Sequence, residues 1–231
     1  MKTSPTIIEL PELRDRIRVF RDRQHAGEVL AGMLGNYRKS DAIVLAIPAG
    51  GVPVAAAIAE QLQISLDVAV VSKITLPWNT EAGYGAIAFD GTMRLNEDLL
   101  PRLGLTEEQI QQGIDETTQK VRRRVKRFRG DHSFPSLAKR RAILVDDGLA
   151  SGFTMLVAIE ALQRAGAPHV CIAVPTGHKS ALQRTAEEVE AVYCANSRGG
   201  FSFAVADAYE LWTDVAEAEA IAIYKRLAHP D

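Results

Sequence analysis

The sequence predicts an α/β fold: a doubly wound, mostly parallel sheet of about five strands flanked by helices. Three observations carry this. Short apolar runs (42–47, 66–71, 142–145, 170–174 and 191–195) have the continuous character of strands buried on both faces. Segments with apolar residues at helical spacing alternate with them. Such alternation demands crossovers that cover both sheet faces, which is the parallel arrangement.

The elements follow in order. Ala26, Val29, Leu30, Met33 and Leu34 form one helix stripe, with Asp22 as cap and Gly35 as stop. The run 42–47 ends in Pro48, Ala49, Gly50 and Gly51, a tight turn into a helix in which Pro53 suits the first turn and Val54, Ile58 and Leu62 share a face. After the run 66–71 comes a long interruption, 74–141, that a simple crossover does not require. Its first part, 74–94, holds Pro77, Gly83, Gly85 and Gly91 and reads as a mobile loop or hairpin over a site. Its second part is a helix: Thr106 and Gln109 have capping-box spacing, and Ile110, Ile114, Val121, Val125 and Phe128 make its apolar face. Strand 142–145 then leads to helix 154–165, strand 170–174 to helix 180–188, and 191–195 is the fifth strand.

With 231 residues, 47% hydrophobic and 24% charged, the chain can bury a full core as one globular domain, 1–231, with 74–141 an insertion and 196–231 a C-terminal segment. The 27 basic and 29 acidic residues leave a net charge of -2, which gives no global reason to bind nucleic acid or an acidic membrane. Cys171 and Cys194 lie in apolar runs with no His or Cys at metal-ligand spacing, so buried reduced thiols are expected. No stretch approaches the ~20 apolar residues of a membrane span, and residues 1–10 have no long apolar core. A soluble cytoplasmic protein is expected.

The segment richest in chemistry is 143–154. An apolar strand ends in Asp146 and Asp147, and Gly148, Leu149, Ala150, Ser151 and Gly152 lead to Phe153 and Thr154 at a helix start. Carboxylates at the carboxyl end of a parallel strand can accept from two neighbouring sugar hydroxyls, where open α/β sheets bind ligands. A small-residue loop entering a helix can wrap a phosphate with backbone N–H groups, and Ser151 and Thr154 add hydroxyls. This spacing describes a pentose held by its diol and its 5-phosphate. Two other uses of the acids stand beside it: Asp146 capping the next helix, or a metal-binding acid pair as in a phosphoacceptor domain. The second needs a chemical partner near the N-terminus, and none is evident.

The segment resembles the phosphoribosyl-pyrophosphate signature of type I phosphoribosyltransferases. Phe20 to Arg23, Pro48 to Pro53, Lys73 and Leu95 to Asp98 extend the resemblance to a poorly characterised branch of that family. The resemblance implies a flexible loop (74–94), a small C-terminal hood, a homodimeric assembly, and a Mg2+-dependent displacement of pyrophosphate from 5-phosphoribosyl-1-pyrophosphate by a nitrogenous acceptor. It assigns the diol to Asp146 and Asp147, the 5-phosphate to the loop Ala150–Thr154 with Gly148 beside it, and pyrophosphate to Ala49, Gly50, Gly51 and Lys73. Asp147 and Lys73 would be catalytic, and Mg2+ would travel with the ligand, with Asp146 and Asp147 as side chains that can share it. Ala49 stands where that branch usually has Arg, Ser151 where Thr is common, and Ala208, Leu211 and Trp212 depart from its usual choices. Alternatives are a non-catalytic binding protein with a regulatory role, which Ala49 favours, and a hydrolase of a phosphoribosyl compound.

Other features have ordinary readings. Gly83 to Ala88 fits G-x-G-x-x-A but does not join a first strand to a long helix. Seven basic residues in 120–129 read as the solvated face of the long helix, because Val121, Val125 and Phe128 stay in core register. Phe201, Phe203, Tyr209 and Trp212 can grip a base or simply pack. The five histidines are scattered, and His178, after a strand, is the one to watch.

Overall fold

The computed structural model describes residues 6–228; residues 1–5 and 229–231, which include His229, lie outside it. Nine strands and six α-helices run in the order β1 (Ile7–Glu9), α1 (Arg23–Met33), β2 (Ile43–Ala46), α2 (Gly51–Leu62), β3 (Ser65–Val68), β4 (Val71–Leu76), β5 (Asn79–Ala88), β6 (Met93–Leu95), α3 (Glu107–Arg129), β7 (Arg141–Val145), α4 (Phe153–Arg164), β8 (His169–His178), α5 (Lys179–Ala186), β9 (Ala191–Arg198) and α6 (Glu217–Ala228) among the described residues.

Six strands form a sheet in the order β1-β9-β8-β7-β2-β3, and every neighbouring pair is parallel. The sheet has one strand more than the sequence predicts, because the three-residue β1 adds to β9 at the edge. Alternate residues divide the core. Val44, Ala46, Ile143 and Val145 face α1, α2 and α6, whereas Ile43, Leu45, Leu144 and Ile172 face α4 and α5. This period of two, with both faces apolar, is why these strands read as continuous apolar runs.

The run 66–71 is not one strand. It ends at Val68, and Val71 begins a second, antiparallel sheet, β4-β5-β6. The segment 74–94 is therefore a hairpin with a third strand, and Gly83 to Ala88 lies on β5. Helix α3 begins at the expected capping box: the Thr106 hydroxyl accepts from the Gln109 amide at 3.3 Å, and the Thr106 amide donates to the Gln109 side chain at 3.0 Å. Asp22 caps α1, accepting from the His25 amide at 2.8 Å. Cys171 and Cys194 are buried and unbridged. No helix among the described residues is long and apolar enough to cross a membrane.

The chain goes from β2 outward to β3 on one side, and from β7 outward through β8 and β9 on the other. The order reverses between β2 and β7, which are neighbours with Ala46 opposite Val145. That reversal brings the loops after both strands together at one end of the sheet, where an open α/β sheet has its crevice.

Candidate functional site

The two loops touch directly. Ile47 continues the ladder by donating its amide to the Val145 carbonyl at 2.8 Å, and a cis peptide joins Pro48 to Ala49. A Cβ on Gly50 would lie 2.0 Å from Oδ2 of Asp147, so any side chain there would displace the carboxylate. Gly51 is equally constrained, with the Val145 carbonyl 2.8 Å from a hypothetical Cβ. The pair of glycines therefore lets α2 start against the acidic strand end, a packing role the sequence reading did not assign. Ala49 packs against the adjoining core.

Asp147 is fixed from three directions. Arg23, the first residue of α1, donates from Nε to Oδ2 at 2.8 Å and from Nη1 to the Thr213 carbonyl at 2.7 Å. Its guanidinium lies 3.8 Å from the centre of the Trp212 ring. Tyr209 donates its hydroxyl to the Asp147 carbonyl at 2.6 Å, and the Asp147 amide donates to Oδ1 of Asp146 at 2.9 Å. The segment holding Tyr209 is itself stitched to the chain before α1, through the Phe20 amide to Ala208 and the Glu210 amide to Phe20.

These contacts set the electrostatics. Burial pushes the Asp146 carboxyl well above the ordinary carboxylate range and the neighbouring Asp147 charge adds to this, while Lys73 opposes it. Burial also raises Asp147, against the opposing charge of Arg23. Two acids so placed titrate as a pair, and Asp146 is the more reluctant to ionise. Tyr209 is raised by burial and then by the Asp147 charge, which keeps its hydroxyl a donor.

The following loop is anchored at Leu149 and again at Ser151, whose carbonyl accepts from Nη1 of Arg184 at 3.2 Å. Leu149 exchanges backbone bonds with β8, its amide to Thr176 at 2.9 Å and its carbonyl from His178 at 2.8 Å. Ala150 and Ser151 are exposed. Gly152 turns the chain into α4 with φ +76°, a conformation that favours glycine. No side chain of Gly152 can cap α4; the Phe153 amide instead donates to the Ser151 hydroxyl at 3.3 Å. Thr154 follows in the first turn, half-buried.

A cavity of about 250 Å³ adjoins these loops, lined by Pro48, Lys73, Asp146 and Thr154 together with Ser72, Thr75, Lys120 and Arg124. The structure thus brings Lys73 of β4 to one space with Asp146 and Thr154, from the two ends of the loop between β7 and α4, and Gly50 packs against the neighbouring Asp147. Gly148 lies under Val205, whose methyl group would be 2.4 Å from a Cβ. Ala150, Ser151, Gly152 and Phe153 belong to the adjacent loop and do not line this cavity. His178 has a structural place: its Nδ1 accepts from the Ser180 amide at 3.3 Å at the start of α5, and Nε2 lies 3.1 Å from the Gly200 carbonyl. Of the C-terminal aromatics, Tyr209 and Trp212 brace Asp147 and Arg23, Phe203 meets the His178 ring edge-on, and Phe201 is exposed.

Three residues go beyond the sequence reading. Arg23 stands in the Phe20 to Arg23 stretch, yet nothing in the sequence pairs it with an acid 124 positions away. Lys120 and Arg124 come from the basic run, which is not a uniformly solvated face: Arg124 and Arg127 both bind Glu217, and Arg129 is buried against Asp67. As to metal ligands, no group of three or more His, Cys, Asp or Glu side chains gathers among the described residues. Asp146 and Asp147 can supply one or two oxygens, which suits Mg2+ bound mainly through a phosphorylated ligand.

Comparison with known proteins gives a consistent picture. The family profile described as phosphoribosyl transferase domain matches residues 22–207. A Mycobacterium tuberculosis H37Rv protein provisionally named phosphoribosyl transferase is 35% identical over 215 residues, covering 93% of this chain and 48% of that protein. Its counterpart in strain CDC 1551 / Oshkosh matches to the same extent. The chain spans about half the length of these curated relatives. The crystal structure of TT1426 from Thermus thermophilus aligns over 92% of this chain and 100% of its own, at 31% identity and a TM-score of 0.73.

Proposed function

The chain belongs to the phosphoribosyl transferase domain family, and on that premise we propose that it is a glycosyltransferase that moves a 5-phosphoribosyl group from 5-phosphoribosyl-1-pyrophosphate to a nitrogenous acceptor. The observation that carries the reading is the convergence of Lys73, Asp146 and Thr154 on one cavity at the sheet's switch point. A cytoplasmic, homodimeric enzyme of nucleotide metabolism is the setting it implies.

In this reading Asp146 and Asp147 accept hydrogen bonds from the two ribose hydroxyls. Backbone amides and hydroxyls of Ala150, Ser151, Gly152, Phe153 and Thr154 receive the 5-phosphate at the start of α4, where the helix dipole favours an anion. The bond from ribose C1 to the pyrophosphate oxygen breaks with its electrons leaving on pyrophosphate, and the acceptor nitrogen forms the new C–N bond and gives up its proton. Lys73 offsets the charge of the departing group, and the Gly50 and Gly51 backbone borders it. Asp147, held by Arg23, faces the positive charge that develops on the ring. Mg2+ bound to the diphosphate would add charge neutralisation there, with Asp146 and Asp147 as the side chains placed to share it. The β4–β5 hairpin stands where a cover can exclude water from an electrophilic carbon.

The test is calorimetric titration of 5-phosphoribosyl-1-pyrophosphate with Mg2+ into the wild type and an Asp146→Asn/Asp147→Asn variant. Binding to the wild type that the folded variant loses is the expected result; a folded wild type that does not bind defeats the proposal. One observation favours a second reading, a binding protein without turnover: Ala49 brings no charge to its loop. A product assay with and without candidate bases separates the readings, since a transferase releases pyrophosphate only with its acceptor, a hydrolase releases product without one, and a binder releases none.

A further inference from the structure

Helix α3 carries more positive charge than its packing uses. Arg129 is committed to Asp67 and Arg127 to Glu217, while Arg122, Arg123 and Lys126 are exposed. Lys120 and Arg124 differ from all of these. They stand one turn apart, so they project on the same side of the helix, and both line the cavity that holds Lys73, Asp146 and Thr154.

Lys120 is itself exposed, so the shared cavity and not depth sets it apart from the other exposed cations, whereas Arg124 is half-buried. Arg124 is braced: Nε donates to Glu217 at 2.8 Å, and Nη1 lies 3.3 Å from the Ser72 hydroxyl and 3.4 Å from the Val71 carbonyl. It is thereby held beside β4, next to Lys73. Neither Lys120 nor Lys73 makes a hydrogen bond or close ion pair among the described residues, and Lys73 meets Asp146 through charge alone. Three cations therefore border one space lined by a single carboxylate, Asp146. At about 250 Å³ the cavity lies below the ~300–1,000 Å³ of pockets that enclose a whole drug-sized ligand. It suits one compact, multiply charged end of a ligand.

We infer that Lys120 and Arg124, with Lys73, bind the diphosphate end of the ligand. This rests on the function proposed above and adds to it that the long inserted helix is part of the binding site, supplying from α3 the charge that Ala49 does not supply from its own loop. Lys120 contacts the diphosphate directly, and Arg124 does so from a position fixed by Glu217.

Two probes separate this inference from the reading beneath it. Inorganic pyrophosphate with Mg2+, and ribose 5-phosphate, are titrated separately into the wild type, Lys120→Gln, Lys120→Arg and the exposed control Arg123→Gln. Lys120→Gln is expected to weaken pyrophosphate about tenfold, the low end for a hydrogen bond to a charged group, with ribose 5-phosphate changed less than about twofold. Lys120→Arg should restore most of the affinity, and Arg123→Gln should match the wild type. Unchanged pyrophosphate binding in Lys120→Gln overturns the inference while leaving the proposed function standing. So does equal weakening of both probes, or an equal effect of Arg123→Gln. A wild type that binds neither probe removes the function and the inference together.

Discussion

Two guanidinium–carboxylate pairs in this molecule are built almost alike. Arg129 meets Asp67 through Nε at 2.9 Å, and Arg23 meets Asp147 through Nε at 2.8 Å. Each guanidinium also lies over an aromatic ring, Phe134 at 4.4 Å and Trp212 at 3.8 Å. Side-chain exposures of 3% and 13% in the first pair, and 9% and 16% in the second, show that depth does not separate them. What separates them is what else the carboxylate meets. Oδ1 of Asp67 also accepts from the Val68 amide at 2.6 Å and the Tyr224 hydroxyl at 3.2 Å, so the group is closed off by donors. Asp147 instead adjoins a second acid, Asp146, that opens onto a cavity lined with cations. A buried ion pair surrounded by donors ties β3, α3 and α6 together; the one beside a second acid is, in the proposed function, the one that meets a ligand.

The largest effect expected from this difference is on stability. Arg129→Gln strands the Asp67 charge in a closed site, and breaking a buried pair in this way costs about 3–5 kcal/mol. Arg23→Gln should cost less than half as much, because Asp147 already lies in a setting that favours protonation and can neutralise itself. Denaturant unfolding of the two variants measures both. Equal costs would mean that the Arg23 pair is structural like the other, and the contrast would fail.

Activity should show the reverse order. Asp147→Asn keeps the shape of the side chain but removes its charge, so the fold should survive while turnover falls about a hundredfold, the usual loss when a preorganised electrostatic contact is removed. Asp67→Asn should lower the melting temperature and leave turnover per folded molecule close to wild type. Steady-state rates alongside thermal melts distinguish the two, and a fully active Asp147→Asn protein would sink the role given to Asp147.

The same contrast explains what could be read from the sequence. Strands β2, β7 and β8 announced themselves because both faces are buried, as Ile43, Val44, Ile143 and Leu144 show. Strand β1 did not, being three residues long and partly exposed at the sheet edge. The break between β3 and β4 was hidden because Ala69 and Val70 are as apolar and buried as the strands on either side, with no glycine or proline to mark the turn. In the site, Asp146 and Thr154, which both line the cavity, could be picked out because the chemistry of 146–154 is contiguous. Arg23 was not, since its partner is fixed by how α1 packs on the sheet. Lys120 and Arg124 were masked by a helical period that correctly identifies Val121 and Phe128 as buried and says nothing of what stands beside β4.

The smallest predicted effect concerns Asp146 and pH. Its carboxyl is raised in the folded protein by burial and by Asp147, so the folded state holds that proton more tightly than the unfolded chain does. The sign follows: this contribution to stability is fully present below the ordinary carboxylate value and is lost as pH rises through the raised folded value. Asp146→Asn removes the ionisation and with it the loss. The variant should therefore gain on the wild type as the solution is taken from acid to neutral pH, by a few degrees of melting temperature at about 2–4 °C per kcal/mol for a chain of this size. Thermal melts of both proteins across that range test it. A constant difference at every pH would mean that Asp146 ionises as freely in the fold as in the unfolded chain. Because ribose hydroxyls donate to a carboxylate, they favour its ionised form, so binding to the wild type should release a proton and strengthen with pH over the same interval. Calorimetry in buffers of different ionisation enthalpy reads that proton directly, and its absence would separate Asp146 from the diol even if the stability trend holds.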